Sequence, residues 1–264
     1  MISVRIPSDH PRAESLHVRE KLVQAYSDGI VATSGLIAHG RGEAFDYLLN
    51  ERTSRPARNA AEAAAAILLT AKSPVISVNG NTAALAAKDI VRLGAITDSK
   101  IEINLFYRSR ERELAIRNLL LKAGAHEVLG VGANASARIP ELSSERRRVD
   151  PKGILSADVV LVPLEDGDRT EALVRMGKKV IAIDLNPLSR TAQKANVTIV
   201  DNLVRCAPLL IEVAEGLKKK VCLECEKLAR DFDNGRNLAE SIRIMKNTLS
   251  TLAKTGLANR RLEQ

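Results

Sequence analysis

Four short polar turns, each directly after an apolar run, hold most of the side chains here that could do chemistry. They are Asn79-Gly80-Asn81-Thr82, Gly132-Ala133-Asn134, Asp184-Leu185-Asn186 and Asp201-Asn202. Glycine lets a ligand approach the backbone closely, while Asn and Asp bind hydroxyls or cap the following helix. Any one of these turns reads equally as an ordinary satisfied loop. Together, at the carboxyl ends of strands, they point to one site for a phosphate-bearing ligand, because helix N-termini at such an edge attract phosphate. Arg19, Arg41 and Arg190 could add bidentate contacts to phosphate oxygens. The stretch Val180 to Thr191 concentrates the pattern: a buried strand, an aspartate, a proline turn and then a helix-compatible segment.

The elements that must position these turns follow from periodicity. From residue 75 onward, apolar runs predict strands at 75–78, 101–105, 126–131, 158–162, 180–184 and 197–200. Helical segments separate them, notably from Thr82 to Leu93, from Glu111 to Lys122 and from Leu203 to Lys219. Strands alternating with helices call for crossover connections and a mainly parallel sheet, an α/β class. Ahead of the sheet, helices are expected over 12–28, from Gly40-Arg41-Gly42 through Leu49, and over an alanine-dense 59–72; residues 30–38 are mixed. Behind it, Leu228, Phe232, Leu238, Ile242, Met245, Leu249 and Leu252 recur at helical spacing, with Asp233-Asn234-Gly235 parting two helices. The expectation is a single domain over 1–264, with an N-terminal helical segment (1–73) and a C-terminal helical tail (223–264). An amphipathic tail with no strand of its own must dock on the sheet or on another subunit, so a dimer is expected.

Composition excludes several classes. The 264 residues carry a net charge of +8, which admits anionic partners, but aromatics make up only 2%. Phe45, Phe106, Phe232, Tyr26, Tyr47 and Tyr107 form no base-stacking platform, which argues against a nucleic-acid-binding protein. The runs Arg146-Arg147-Arg148 and Lys218-Lys219-Lys220 read as solvated faces. Cys206, Cys222 and Cys225 are too few for a disulfide scaffold and suggest a reducing compartment. Cys222-Leu-Glu-Cys225 has no second pair and reads as helical positions before it reads as a metal or redox site. His10, His17, His39 and His126 are dispersed, so no metal ligands are assigned, and no general base stands out. There is no GxxxxGK[ST] loop, HExxH or GxSxG. Gly130-Val-Gly132-Ala-Asn-Ala135 matches a loosened GxGxxA, but Ile139-Pro140 opposes the long helix that this fingerprint requires. With no apolar run of about 18 residues, no membrane span is expected and a soluble, cytoplasmic protein is.

Several segments, in order along the chain, carry a resemblance. They are His17-Val-Arg19-Glu-Lys-Leu, His39-Gly-Arg41-Gly-Glu-Ala-Phe-Asp-Tyr47, Val78-Asn-Gly-Asn-Thr82, Asp184-Leu-Asn-Pro-Leu-Ser-Arg190-Thr191 and Asp201-Asn-Leu203. Together they resemble the 4-phosphopantoate–β-alanine ligases, the archaeal phosphopantothenate synthetases of coenzyme A biosynthesis. The resemblance implies a Rossmann-like α/β sheet with added helices, a homodimer, and an ATP- and Mg2+-dependent reaction. Its substrates would be 4-phosphopantoate, β-alanine and ATP; 4-phosphopantothenate, AMP and diphosphate would leave by way of an acyl adenylate. It implies ATP contacts at Arg19, Arg41, Asp184, Leu185, Asn186, Arg190, Thr191, Asn202 and Leu203. Asn79, Gly80, Asn81 and Thr82 are the candidates for the phosphopantoate side. The glycine turns taken alone leave open another Rossmann-type nucleotide enzyme, NAD(P)-dependent or acting on a phosphosugar.

Overall fold

The structure is a computed structural model that describes residues 7, 9, 10, 12–140, 142–219 and 222–255, the side chain of residue 222 excepted. At its centre is a parallel sheet of β1 (Pro74–Val78), β2 (Lys100–Ile103), β5 (Val159–Pro163), β6 (Lys179–Ile183) and β7 (Val197–Ile199), in the order β2-β1-β5-β6-β7. A short antiparallel ribbon, β3 (Ala137–Arg138) with β4 (Arg148–Val149), lies apart from it. Every residue of β1 and β5 is buried, as expected of parallel strands covered on both faces.

Strand alternation sorts the core into two layers. Ile76, Val78, Leu161, Ile181 and Ile183 face one apolar cluster, with the buried sides of four helices: α1 (Ala13–Ser27), α3 (Arg55–Thr70), α4 (Gly80–Thr97) and α8 (Leu203–Lys218). Val75, Val160, Val162, Val180 and Ala182 face the other, against Ile139, Val149, Ile154 and α6 (Gly167–Arg175). Ala57, Ala60, Ala61 and Ala63 through Ala66 are all buried, so α3 presents a thin surface that neighbours can approach closely. Ser54 caps it, its Oγ accepting from the Ala57 N–H at 3.2 Å. The remaining helices are α2 (Thr33–Leu48), α5 (Arg110–Lys122), α7 (Arg190–Lys194), α9 (Cys222–Asp231) and α10 (Asn234–Thr255).

The strand order sets the place for a ligand. The connections out of β1 run first to β2 on one side and later to β5 on the other, so the carboxyl ends of β1 and β5 splay apart at a switch point. This is the α/β, Rossmann-like class expected from the sequence.

Several expectations need correction. Residues 126–131 are not a strand: Leu129 makes one isolated parallel bridge to Glu102, and Gly130, at φ +77°, turns the chain away into a short 3-10 turn at Gly132–Asn134. Helix α2 begins at Thr33 and runs straight through Gly35, Gly40 and Gly42, where a mixed segment and a later start were expected. Each glycine costs an isolated helix about 1 kcal/mol, but a Cβ at Gly35 would sit 2.2 Å from Asn81 Oδ1, so the Asn81 side chain packs as it does only against a glycine. Helix α3 starts at Arg55, four residues ahead of the expected Asn59. Arg146 is buried, not part of a solvated face. Lys218 and Lys219 are exposed as expected, and Lys220 lies outside the described residues.

The tail docks on this chain's own sheet. Asn234 Oδ1 accepts from the Thr198 N–H at 2.8 Å, and Asn237 Nδ2 donates to the Thr198 carbonyl at 2.8 Å, so the start of α10 covers the free edge of β7. Leu238 and Met245 of α10 pack with Leu49, Leu185, Ala192 and Val200. Cys225 lies in the core on α9 and in no disulfide. No described helix is long and apolar enough to cross a membrane.

Candidate nucleotide and phosphate cleft

A cleft of about 530 Å3 opens along the carboxyl edge of the sheet, over the ends of β1, β5 and β6 and the start of α8. Helix α2 forms its opposite wall with Gly35, Ala38, His39, Arg41 and Phe45, and Phe106 and Tyr107 stand at its mouth. Of the residues singled out by sequence, Arg41, Asn79, Gly80, Asn81, Asp184, Leu185, Asn186, Arg190, Thr191, Asn202 and Leu203 all line this one cleft. Arg19 and Thr82 do not, and neither do Asp201 nor the Gly132-Ala133-Asn134 turn, which follows no strand and lies away from the cleft.

The β6 end is built around Asp184. Its Oδ1 accepts from the Asn186 N–H at 2.9 Å and its Oδ2 from the Ser189 hydroxyl at 2.5 Å, which folds the proline turn back on itself. Burial raises the Asp184 pKa, against the lowering by these two bonds and by the Arg41 charge. Ser189 also caps α7, and Thr191 Oγ1 donates to the Glu165 carbonyl at 3.0 Å, tying α7 to the end of β5. Arg190 is half exposed and held by Asp168 and Glu171 on α6. At the β7 end, Asn202 Oδ1 accepts from the Val204 N–H at 3.3 Å, and its Nδ2 donates to Asp46 Oδ2 at 2.9 Å. Arg205 bridges Asp46 at 2.5 Å and Asp201 at 2.8 Å, so α2 is clamped to α8 by a shared ion network.

The β1 end is a rigid corner. Asn79 accepts the Thr82 N–H at 3.0 Å and donates to the carbonyls of Pro163 and Leu164, each at 3.0 Å, so one side chain caps α4 and ties β1 to β5. Leu164 sits at φ +54°, a left-handed conformation that a leucine adopts only where its surroundings enforce it. Thr82 is fully buried, its hydroxyl donating to the Pro163 carbonyl at 3.2 Å, so it is brought to the corner but not to the cleft surface. Asn81 Nδ2 donates to the Gly35 carbonyl at 2.9 Å, fixing α4 against α2.

Two of the arginines singled out by sequence are placed differently. Arg41 is exposed at the cleft, with no ion pair or hydrogen bond to another described residue. Arg19 lies on α1, paired with Glu43 of α2 at 2.9 Å, a bond that raises its pKa.

The sequence reading missed His39, Phe106, Tyr107, Arg112, Arg146, Glu165 and Asp166, all of which line the cleft. Glu165-Asp166 follows β5 just as the other polar turns follow their strands, and that rule could have found it. Glu165 is held by Arg146 and Arg169, and Arg146 Nε also meets Asp166 Oδ2 at 2.9 Å. Burial lowers the His39 pKa, with Arg19 adding to the effect and Glu43 and Asp46 opposing it. His39 opens one of the segments that carry the resemblance, but no signal in a single sequence gives it, Arg112 or Arg146 a place at the site.

The glycine pair at 130 and 132 is closed to a dinucleotide. The Gly132 N–H is taken by Glu113 Oε2 at 2.9 Å, and the turn that follows is three residues long, not the opening of a helix. Among the described residues, no group of three or more His, Cys, Asp or Glu side chains could hold a metal ion. A Mg2+ cage made of protein side chains therefore does not fit this cleft.

Residues 56–248 match the model of the phosphopantothenate/pantothenate synthetase family. A protein of Thermococcus kodakarensis named 4-phosphopantoate–beta-alanine ligase is 51% identical over 259 residues, covering 98% of both chains. One of the same name from Methanosarcina mazei is 52% identical over 248 residues, 94% of this chain and 97% of its own. Another, from Methanospirillum hungatei, is 55% identical over 200 residues, 76% of this chain and 81% of its own.

Proposed function

The chain belongs to the phosphopantothenate/pantothenate synthetase family, and from that premise we propose that it joins 4-phosphopantoate to β-alanine at the expense of ATP. The observation that carries the reading is 51% identity across 98% of both chains with a relative of that name. The chemistry of the cleft is in keeping with it: phosphate donors at strand ends and helix starts, and two walls that can hold two substrates facing each other.

In this reading the pantoate carboxylate attacks the α-phosphorus of ATP, the bond from that phosphorus to the bridging oxygen breaks, and diphosphate leaves. The β-alanine amine then attacks the acyl carbon of the adenylate. AMP departs as the amide forms, and the amine gives up its proton. Arg41 and Arg190 would offset the charge that develops on the phosphates. Asp184, Leu185, Asn186, Thr191, Asn202 and Leu203 would hold the nucleoside along β6, α7 and α8. Arg19 would reach a triphosphate only by exchanging Glu43 for it. Asn79, Gly80 and Asn81 would face 4-phosphopantoate. Thr82 would act through its hydrogen bonds to Asn79 and Pro163. Mg2+ would arrive bound to the triphosphate, since it usually keeps several waters and few protein ligands at nucleotide sites. A cytoplasmic homodimer built from one domain per chain belongs to the same reading.

The test is product analysis with the purified protein. Sustained release of AMP and diphosphate should require ATP, 4-phosphopantoate and β-alanine together. ADP and orthophosphate would instead indicate an acyl-phosphate route, and a thermal shift with NAD(P) but none with ATP would overturn the reading.

A further inference from the structure

Helix α2 crosses the cleft from one end to the other, and a histidine stands in the middle of its span. At the β1 end Gly35 meets α4, its carbonyl accepting from Asn81 Nδ2 at 2.9 Å. At the β6 end a Cβ on Gly42 would lie 3.7 Å from Leu185 Cδ1. The step from Gly35 to Gly42 rises roughly 10 Å along a helix, which matches the roughly 10 Å from β1 across β5 to β6 at the usual strand spacing. Gly35, His39 and Gly42 share one stripe of the helix. His39 therefore faces the cleft between its two ends, above β5, the strand that separates β1 from β6.

The ring is half-buried, and no described residue makes a hydrogen bond to it. A neutral imidazole then keeps one nitrogen lone pair free to take a proton. Burial lowers its pKa from 6.5; Arg19 of α1 adds to this, while Glu43 and Asp46 of its own helix oppose it. The ring is thus uncharged at neutral pH. The carboxylates that line the cleft are already committed. Asp184 holds the Asn186 N–H and the Ser189 hydroxyl. Glu165 is held by Arg146 and Arg169, and Asp166 caps α6 through the Arg169 N–H and meets Arg146. The arginines of the cleft have no lone pair to offer, and Tyr107 brings a phenol, a proton donor before it is a base. Among the described residues lining the cleft, His39 is left as the neutral base.

We propose that His39 is the general base for the second half of the reaction, taking the proton that the β-alanine nitrogen sheds as it attacks the acyl carbon. The proposal rests on the ligase reading above and supplies the proton acceptor which that reading lacks. With the nucleotide along β6, α7 and α8 and 4-phosphopantoate at the β1 end, the acyl carbon lies between them, where His39 stands. β-Alanine loses its ammonium proton to water before it attacks. As the nitrogen–carbon bond forms, the nitrogen becomes cationic and acidic, and one of its N–H groups passes a proton to the free imidazole nitrogen. The bond from the acyl carbon to the AMP oxygen then breaks, AMP leaves with that electron pair, and the imidazolium returns its proton to water. The first half of the reaction, attack of a carboxylate on phosphorus, releases no proton and needs no such base.

The test reads the two halves separately in the wild type and in His39→Gln. Adenylate formation is followed as exchange of labelled diphosphate into ATP, with 4-phosphopantoate present and β-alanine absent. In His39→Gln this exchange should stay within about twofold of the wild type, while single-turnover amide formation falls on the order of 100-fold. In the wild type the amide step should slow as pH drops below 6.5 and the ring takes up a proton, a decline that His39→Gln should lack. Imidazole added to His39→Ala should restore amide formation and leave exchange as it was. That rescue compares one protein with itself, so a loss of stability cannot imitate it. An equal fall in exchange and amide formation, or no rescue by imidazole, would overturn the assignment. A wild type that neither exchanges diphosphate nor releases AMP takes down the ligase reading and this role with it. A wild type that makes 4-phosphopantothenate beside an equally active His39→Gln removes the role of His39 alone.

Discussion

Glu102 and Asp184 are both acids on the central sheet or at its end, and burial pushes both pKa values up, yet only one faces the cleft. Glu102 lies wholly inside, accepting the Asp150 N–H at 3.0 Å and the Ile154 N–H at 2.6 Å, with Gly153 pressed against it. Its pKa is raised from 4.5 to about 7, by burial first, with the two backbone bonds and Arg169 holding it down. The folded chain therefore keeps a proton that the unfolded chain releases between these two values. Its stabilising contribution is complete below about pH 4.5, declines as pH rises, and is gone above about pH 7. The size is on the order of 3 kcal/mol at most. Denaturant midpoints measured from pH 5 to 8 should fall in the wild type relative to Glu102→Gln, which has no proton to lose. Parallel curves would show that Glu102 does not titrate in this range. None of this was legible in the sequence, where Glu102 reads as the polar residue of an ordinary strand. The Asp184 turn was legible, because an acid at the end of an apolar run is a local pattern.

At the scale of elements, the cleft depends on close approach of α4 to its neighbours. Gly80 stands where a side chain would strike the Ile30 carbonyl, and Gly35 where one would strike Asn81. Gly80→Ala must shift either the loop at Ile30 or the first turn of α4, at a cost of about 1 to 3 kcal/mol. A drop in melting temperature of several degrees should accompany a rise in KM for 4-phosphopantoate. A variant as stable as the wild type would mean that the loop yields freely. The five strands of the central sheet and the helices α4, α5 and α8 could be read from periodicity alone, because parallel strands are short apolar runs wherever they occur; residues 126–131 are read wrongly by it, and the two-residue strands of the β3–β4 ribbon are too short to leave a period. The start of α2 could not be read this way either. Its three glycines are unfavourable locally, and of these Gly35 gains close packing against Asn81 in return, a tertiary gain invisible in a window of neighbours.

For the whole molecule, the tail was expected to find either the sheet or another subunit, and α10 covers the β7 edge of its own sheet. It still exposes Ile242 and Leu249, one heptad apart on its outer side, which agrees with the proposed homodimer. Sedimentation at micromolar concentration should give twice the 28.6 kDa chain mass, and a single monomeric boundary would remove the dimer from the reading. By itself the sequence determined the α/β class, the polar turns at strand ends and the family to which they belong, because each is written in short contiguous patterns of residue type. Only the tertiary structure decided that β1 lies beside β5, and so where the cleft opens. It also turned Arg146 inward against Glu165, held Arg19 on Glu43, and set His39 between the two ends of the cleft. Burial and pairing of a charge depend on what the rest of the chain brings to it from far away in sequence, and one sequence read in order contains no record of that distance.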